Sequence, residues 1–277
     1  PGRLSLAYFP DDRGRIVTEM SVACNGEDDY TLITAAVAQW HDYEWLARGL
    51  PRGLTLSDRT RDLSTLIVTG PKSRDLFAKS SDADLALPWL SHGMGTVAGQ
   101  KAVLARVSFA GELGWEVHAP VEAIPAIHDA VLEAGAKPFG MWALNSLRIE
   151  KGYRAWKGDL STDYSLLEGG LDRFIRFDKP QDFPGKAALL AEKQRGVKKR
   201  FVTLVVDAGA CDAPYMSTLW HHGEIAGETT SGAWGYRVGA SIALGMLRAD
   251  LAVPGTMVEV EIYGERFRAL VQEDRPL

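Results

Sequence analysis

This 277-residue chain has only two cysteines, Cys24 and Cys211, and no long apolar run. Cysteines this far apart form neither a disulfide framework nor the paired spacing of a zinc site, which indicates a reducing, cytoplasmic setting. The longest apolar stretches, such as Phe201–Val206, are far shorter than the roughly 20 residues that a membrane-crossing helix needs. These absences predict a soluble protein with no membrane contact and no resident metal.

Several catalytic motifs are also missing. The sequence contains no GxSxG, no HExxH, no Walker loop and no GxGxxG, so serine hydrolysis, zinc proteolysis, nucleotide hydrolysis and dinucleotide binding lose their usual support. A formal net charge of -5 argues against a nucleic-acid partner. The densest basic run, Lys198-Lys199-Arg200, directly precedes an apolar strand pattern, and we interpret it as a solvated turn.

The first two thirds of the chain alternate between strand and helix patterns. Hairpins are expected at residues 15–36 and around SFAGELGWEVHAP, and strands at Leu54–Thr60, Ser64–Thr69 and Gly99–Val107. Helices are expected at Ala38–Gly49, from Gly70-Pro71 onward, and at 121–136 with Ile124, Ile127, Val131 and Leu132 facing inward. Because hairpins as well as crossovers link these elements, the pattern favours an α+β fold over a parallel doubly wound sheet.

After residue 196 the composition changes. Apolar strand patterns follow one another between glycine-rich turns, with no long helical pattern among them. This arrangement is typical of a small β-barrel or a sandwich. The sequence therefore predicts two domains, an α+β region at 1–196 and a β domain at 197–277.

The densest mixture of apolar, charged and aromatic residues lies at Phe139–Asp178. Its first part, 139–151, has near-helical spacing and meets a stop at Gly152. The following segment, Tyr153–Glu168, looks too aromatic for a linker and too polar for a core. We therefore expect this segment to form the rim of a pocket.

Carboxylates and cations outside known motifs are the remaining candidates for chemistry. Glu112 and Glu116 flank Leu113-Gly114-Trp115, and strand alternation requires either Trp115 or Glu116 to face inward. An inward Glu116 needs a donor such as Arg148 or a ligand amine, whereas an outward one is an ordinary strand residue. Arg148 itself has the alternative of a surface ion pair with Glu150 or Asp172.

Two adjacent histidines, His221 and His222, lie in an expected strand. Neighbouring strand residues point to opposite faces, so this pair is not expected to share a metal. We interpret both as surface residues.

Several segments, in this order, resemble the folate-binding aminomethyltransferase family. That family comprises the glycine-cleavage T-protein and the C-terminal halves of dimethylglycine and sarcosine dehydrogenases. The segments are GRIVTEMSV, VTGPKSRDLF, RVSFAGELGWEVH, GMWALNSLRIEKGYRAWKGDLSTDYSLLEGGLDRFIRFDK, FPGKAAL and ETTSGAWGYRVGASIALGML. They extend over nearly the whole chain, and SLRIEKGYRAW to LEGGL is most similar to the dehydrogenase branch.

The resemblance implies a clover-leaf of mixed-sheet subdomains with a C-terminal β-barrel and a tetrahydrofolate site. Glu116 matches the family carboxylate that accepts two hydrogen bonds from the pterin ring. Arg148, Tyr153 and Trp156 match positions that line the folate cavity. Glu19 matches an acidic residue that assists attack of a folate nitrogen on the one-carbon donor.

The sequence departs from the family pattern at three places. Glu19 replaces the usual aspartate, and Phe109 stands where many members have a cofactor-contacting tyrosine. Family members also extend well ahead of the point that matches Leu4, and the dehydrogenase relatives continue past Leu277. The family fold is then completed by a smaller design, a further segment or a partner.

The resemblance implies a tetrahydrofolate-dependent transferase that moves a methyl or methylene group from a small amine or sulfonium donor. Two alternatives stay open. One is a folate-binding accessory or sensor protein without transfer activity, which the residues at Glu19 and Phe109 motivate. The other is the folate-binding unit of a demethylating enzyme, in which an FAD-dependent dehydrogenase subunit or domain is the partner.

Overall fold

The computed structural model describes residues 1–274; Arg275, Pro276 and Leu277, at the end compared above with longer relatives, lie outside the described residues. Contacts divide the chain into two compact units. The first unit comprises Pro1–Ala7 and Met20–Phe139, and the second comprises Tyr8–Glu19 and Gly140–Leu277. The predicted boundary between residues 196 and 197 stays a prediction.

The N-terminal part forms a three-stranded sheet in the order β1-β2-β3. Its strands are β1 (Arg3–Pro10), β2 (Ile16–Cys24) and β3 (Tyr30–Ile33). β2 and β3 pair antiparallel from Ser21↔Ile33 to Cys24↔Tyr30, as the hairpin prediction for residues 15–36 requires. β1 was not expected from the sequence.

The remainder of the first unit packs helices around a second sheet. Its elements are α1 (Gln39–Arg48), β4 (Leu63–Thr69), α2 (Ser73–Phe77), β5 (His92–Val97), β6 (Gln100–Ala105), β7 (Gly114–Pro120) and α3 (Ile124–Glu133). The four strands form an antiparallel sheet in the order β4-β7-β6-β5. One face of this sheet packs into a core that contains Phe77, Trp115, Val117, Ile127 and Val131.

Two strand assignments in this unit differ from the sequence prediction. Leu54–Thr60 is not a strand, because it follows Pro51 and Gly53 and is almost wholly exposed, so it has no apolar face to bury. The partner of β4 is β7 instead. β5 was missed because Gly93 and Gly95 weaken the strand pattern, although a tight turn with positive φ at Ala98 and Gly99 pairs it with β6.

Helix α1 forms where it was expected, but its buried face is different. Trp40 is 62% exposed, whereas Asp42 is buried. The Asp42 carboxylate accepts a hydrogen bond from the Thr34 hydroxyl and contacts Nδ1 of His41 at 2.8 Å. A carboxylate with such partners can be buried without the full desolvation cost.

The second unit combines two helices with a closed barrel of six strands. The elements are α4 (Met141–Glu150), α5 (Lys186–Arg195), β8 (Lys199–Val206), β9 (Thr218–His221), β10 (Glu224–Gly235), β11 (Ala240–Arg248), β12 (Met257–Ile262) and β13 (Glu265–Val271). The barrel closes in the order β10-β11-β8-β13-β12-β9. This confirms the predicted α+β fold class with a C-terminal β-barrel and decides between barrel and sandwich. Within residues 1–274, none of the helices has the length and apolar character needed to cross a bilayer.

Helix α4 lies within the predicted segment 139–151, and it buries charged residues while it exposes an aromatic one. Trp142 is 89% exposed, whereas Arg148 and Glu150 are 3% and 2% exposed. Glu150 accepts a hydrogen bond from the backbone N–H of Arg237 at 2.7 Å, and Ser146 donates to the carbonyl of Trp234 at 2.7 Å. The polar residues of α4 therefore face the barrel strand β10 and its turn, because the backbone there supplies partners.

Candidate functional site

Glu116 is positioned by strand β7 and by the turn that precedes it. Trp115 is fully buried and meets Phe77 edge-on, with ring centroids 5.6 Å apart. Because strand residues alternate between faces, Glu116 lies on the face opposite this core. Its direct neighbours in the sheet are Ile67 of β4 and Ala105 of β6. Of these two neighbours, Trp115 therefore faces the core of the first unit, and Glu116 faces away from it.

Glu116 heads a short row of polar side chains on that face. His118, two residues further along β7, has Nε2 at 3.4 Å from Oε2 of Glu116. Its other ring nitrogen, Nδ1, lies 2.8 Å from Oγ1 of Thr65, which is opposite His118 in β4. The side chains of Glu116 and His118 are 19% and 13% exposed. The carboxylate is therefore shielded but still reaches solvent.

Arg148 is the centre of a buried network in the second unit. Its Nη1 donates to Oδ2 of Asp159 at 2.5 Å and to the Tyr153 carbonyl at 2.9 Å. Its Nη2 donates to Oγ of Ser231 at 2.7 Å and to Oδ1 of Asn145 at 2.8 Å, and Nε also donates to Asn145. A guanidinium has five N–H donors, so this set uses all of them.

Asp159 completes the same network. It is 0% exposed and accepts hydrogen bonds from Arg148, from the Ala155 N–H at 2.8 Å, and from the hydroxyls of Thr230 and Ser231. A shift of register in β10 between Thr229 and Ser231 accompanies the approach of two successive hydroxyl residues to one carboxylate. Burial of this ion pair is supported because each charged group is fully hydrogen-bonded.

The alternative that Arg148 pairs with Glu150 or Asp172 is wrong. Glu150 accepts backbone N–H groups of the turn after β10, and Asp172 pairs with Arg200 at 2.8 Å. Arg148 instead fixes the segment that follows α4, because its guanidinium holds both the Tyr153 carbonyl and the Asp159 side chain.

Half of the segment Tyr153–Glu168 is buried, so the expectation of a pocket rim is wrong for that half. Leu160, Tyr164, Leu166 and Leu167 belong to the core of the second unit. Several of its polar residues, such as Arg154, Asp159 and Glu168, are buried with partners, and Oε2 of Glu168 accepts a hydrogen bond from Nη1 of Arg15 at 2.7 Å. Tyr153 and Trp156 are half-buried, and Nε1 of Trp156 donates to the Val17 carbonyl at 3.4 Å.

Glu19 lies half-buried on β2, close to Tyr8 of β1, which is also half-buried. Burial raises the pKa of the Tyr8 phenol above its ordinary value, and the negative charge of Glu19 raises that pKa further. Arg154 and Arg173 act in the opposite direction because their positive charges favour phenolate. The Tyr8 phenol is therefore within electrostatic range of Glu19 and of the two arginines.

The six residues singled out from the sequence fall in both units. Phe109 and Glu116 lie in the first unit, where Phe109 is half-buried in the loop between β6 and β7. The other four, Glu19, Arg148, Tyr153 and Trp156, lie in the second unit. Within that unit, Trp156 bonds to Val17, two residues before Glu19, and Arg148 bonds to Tyr153.

The histidine pair differs from its expected geometry. His221 ends β9, but His222 has φ 50 and lies in the turn, so the two rings are 4.1 Å apart rather than on opposite faces. Across the described part of the chain, no group of three or more His, Cys, Asp or Glu side chains has a geometry that could hold a metal ion.

Sequence reasoning missed His118, Asp159 and Tyr8 as parts of these clusters. His118 had a detectable signal, because a residue two positions after Glu116 must share its face of the strand. Asp159 had none, because its hydroxyl partners Thr230 and Ser231 are 71 and 72 residues away in sequence. The proximity of Tyr8 to Glu19 likewise follows from the pairing of β1 with β2.

Two family models match the chain. The model described as the GCVT N-terminal domain matches residues 1–179, and the model described as the glycine cleavage T-protein C-terminal barrel domain matches residues 199–277. Together they account for both the mixed-sheet region and the barrel.

Known proteins of two kinds are similar to this chain. Dimethylglycine dehydrogenase from Rattus norvegicus is 32% identical over 283 residues, covering 99% of this chain but 33% of that protein. Aminomethyltransferase from Geobacillus kaustophilus is 30% identical over 276 residues, covering 97% of this chain and 75% of that protein. This chain thus spans about a third of the dehydrogenase and most of the aminomethyltransferase.

A solved structure shares the fold. The glycine cleavage system aminomethyltransferase T from Bartonella henselae superimposes with a TM-score of 0.86, at 22% identity, over 98% of this chain and 75% of that one. At this level of identity the likeness concerns the fold.

Proposed function

The chain belongs to the glycine cleavage T-protein family of aminomethyltransferases, and from this premise we propose that it is a tetrahydrofolate-dependent one-carbon transferase. The family matches at residues 1–179 and 199–277 support the proposal, as does the aminomethyltransferase of which the chain covers 75%. The observation that carries it is the outward, shielded carboxylate of Glu116.

Glu116 fits the role of an anchor for a pterin ring. Such a ring presents an amino group and a ring N–H side by side, and a carboxylate accepts two parallel bonds from donors of this kind. A carboxylate has about four acceptor sites, and a hydrogen bond from His118, whose Nε2 lies at 3.4 Å, would use one of them. Its partial burial strengthens any hydrogen bond that it makes, because water competes less there. Phe109, in the loop that leads to β7, is proposed to add an apolar contact to the ring.

Glu19 is the proposed catalytic residue. Bound tetrahydrofolate supplies amine nitrogens that take up a methyl or methylene group. The Glu19 carboxylate would orient the reacting N5 or accept a proton from it.

Arg148 is proposed to act through structure rather than by contact with the cofactor. All five of its N–H donors are bonded within the second unit, so a ligand would have to break one of those bonds. Its bonds to Tyr153 and Asp159 hold the segment that carries Trp156. Tyr153 and Trp156, both half-buried, are the residues of this segment proposed to line the folate site.

The donor is proposed to be a small amine. Dimethylglycine and sarcosine dehydrogenases, named for methylated amines, are among the relatives. Because the chain spans 33% of the former, we propose that an FAD-dependent dehydrogenase subunit or domain oxidises the amine and delivers its one-carbon unit. A sulfonium donor is the other chemical class that fits a methyl transfer.

A folate-binding accessory or sensor protein is the second candidate function. Glu19 in place of the usual aspartate motivates it, since one added methylene moves the carboxylate by about 1 Å, and displacements of that order can cost about 100-fold in rate. Such a protein would bind tetrahydrofolate without transferring a group.

Calorimetric titration with tetrahydrofolate, followed by a turnover assay, tests both candidates. The transferase requires saturable binding and formation of methyl- or methylene-tetrahydrofolate from dimethylglycine together with a purified dehydrogenase. Glu19→Gln should abolish most of this turnover while binding persists. Binding without turnover would support the sensor, and absence of binding by the folded protein would refute the folate proposal.

A further inference from the structure

We infer that His118 is a positioning residue that holds the Glu116 carboxylate in its ligand-binding orientation, with Thr65 fixing the tautomer of the imidazole. This inference rests on the proposed role of Glu116 as the pterin anchor. All three residues lie in the first unit, on the same face of the sheet formed by β4 and β7. They form a continuous row from Thr65 through His118 to Glu116.

The backbone fixes this row. Glu116 and His118 are separated by one residue of β7, so their side chains emerge on the same face. Thr65 is the direct cross-strand partner of His118, and its Oγ1 lies 2.8 Å from Nδ1. The imidazole is held by its backbone attachment and by the contact of Nδ1 with Thr65, so the ring loses rotational freedom. The fixed ring then limits the orientations of the neighbouring carboxylate.

The donors and acceptors of the row require that Nε2 of His118 carry the proton that faces Glu116. An ionised carboxylate only accepts hydrogen bonds, so Nε2 must carry the proton if it is to bond to Glu116. In the neutral imidazole Nδ1 is then the acceptor, and the Thr65 hydroxyl donates to it. In the imidazolium both nitrogens donate and Thr65 accepts, so Nε2 still carries a proton toward Glu116.

Nε2 of His118 is otherwise unsatisfied. It is buried, and in the part of the chain that the structure describes it makes no hydrogen bond. Its distance of 3.4 Å to Oε2 of Glu116 exceeds the usual 2.7–3.2 Å by a few tenths of an ångström, which a small rotation of the carboxylate closes. A buried N–H without a partner is costly, so this donor favours the carboxylate orientation that meets it.

Two substitutions of His118 separate positioning from packing. Asparagine reaches the place of Nδ1, so His118→Asn keeps a partner for Thr65 but leaves nothing beside Glu116. Glutamine reaches the place of Nε2, so His118→Gln restores an N–H donor to Glu116. We expect His118→Asn to weaken tetrahydrofolate binding by about tenfold in calorimetry, and His118→Gln to stay within about threefold of the wild type.

Nitrogen NMR of the imidazole gives a readout that is independent of the cofactor. The wild-type protein should show a protonated Nε2 in the His118 ring, and Glu116→Gln should shift that signal because its acceptor is replaced. Thermal unfolding of all variants should show similar midpoints, which separates an effect on binding from a loss of fold.

The outcomes distinguish this inference from the proposed function. If the wild type binds tetrahydrofolate and both His118 variants bind equally well, the positioning role is refuted while the folate proposal stands. If the wild type does not bind but the His118 signal responds to Glu116→Gln, the folate proposal fails and the pairing stands. A neutral ring protonated on Nδ1 alone would overturn the pairing itself.

Discussion

The two units each contain a nitrogen-bearing side chain beside a carboxylate, and the two pairs are built differently. In the second unit Arg148 and Asp159 are 4% and 0% exposed at their side chains, and every guanidinium donor has an acceptor. In the first unit Glu116 and His118 keep 19% and 13% exposure and meet at 3.4 Å. All hydrogen-bonding groups of the Arg148–Asp159 pair have partners within the protein, and we call this a closed pair. The Glu116–His118 pair leaves acceptor sites on the carboxylate that a ligand can use.

This difference separates a structural role from a binding role. A buried charge is tolerated when its partners are complete, and removing one partner then exposes the full desolvation cost of the other. A half-shielded carboxylate has a smaller desolvation cost, and its spare acceptor sites can bind a donor from a ligand. The resemblance implies a cofactor contact for both Glu116 and Arg148, and we propose a binding role for Glu116 and a structural role for Arg148.

The largest effect is expected from Arg148→Met. This change leaves Asp159 buried without its cation and should lower the free energy of unfolding by about 3–5 kcal/mol, measured by urea titration of tryptophan fluorescence. Arg176→Met is the matched control, because Arg176 and Asp178 are 66% and 73% exposed, so solvent screens their pair and its loss should leave stability nearly unchanged. If the Arg148→Met protein were as stable as the wild type but bound folate weakly, Arg148 would have a binding role like that proposed for Glu116.

Glu116→Gln should show the converse behaviour. Replacing one acceptor oxygen by a donor should weaken tetrahydrofolate binding by about 10- to 100-fold, because a hydrogen bond to a charged group contributes about 1.5–3 kcal/mol. The free energy of unfolding should change by less than about 0.5 kcal/mol. Glu122→Gln, an exposed change in the same unit, should alter neither quantity. If the variant lost stability but kept its affinity for tetrahydrofolate, Glu116 would have a structural role like that of Asp159.

Tyr164 extends the comparison to a closed pair with a neutral donor. Its hydroxyl donates to Oε1 of Glu228 at 3.1 Å. Burial raises the pKa of the Tyr164 phenol, and the Glu228 carboxylate raises it further. The unfolded chain releases this proton near pH 10, so the stabilisation is complete below about pH 10 and declines as the pH rises toward the higher folded pKa.

Tyr164→Phe should therefore reduce the decrease in unfolding free energy that occurs as the pH rises into the alkaline range. Between about pH 8 and about pH 11, the wild type should lose about 1 kcal/mol more unfolding free energy than the variant. Urea titrations at the two pH values measure this difference. Tyr263→Phe, at a side chain that is 87% exposed, is the control. Equal losses in wild type and Tyr164→Phe would contradict a closed Tyr164–Glu228 pair.

The smallest effect is expected from Trp142→Ser. Trp142 is 89% exposed, so its removal should change the free energy of unfolding by less than about 0.5 kcal/mol. In the same helix, Ile149→Ala should cost about 2–5 kcal/mol, because Ile149 is fully buried. A large loss with Trp142→Ser would show that this side chain is covered in the folded protein.

The strongest sequence signals were local. Alternation around Trp115 required one of two neighbours to face the core, and helical spacing located α1, α3 and α4. Successive apolar runs after residue 196 predicted a β domain, and ordered motifs identified the family. Where glycines interrupted the pattern, as at Gly93 and Gly95, the prediction missed strand β5.

The closure of the barrel, the burial of Arg148, Glu150 and Asp159, and the row from Thr65 to Glu116 were decided by tertiary structure. The physical reason is that a local pattern records the period of an element but not the partners of its polar groups. Glu150 finds a backbone N–H 87 residues away, and Thr65 meets His118 at a separation of 53. Whether a charge is buried or left open to a ligand depends on these long-range partners, which no local window contains.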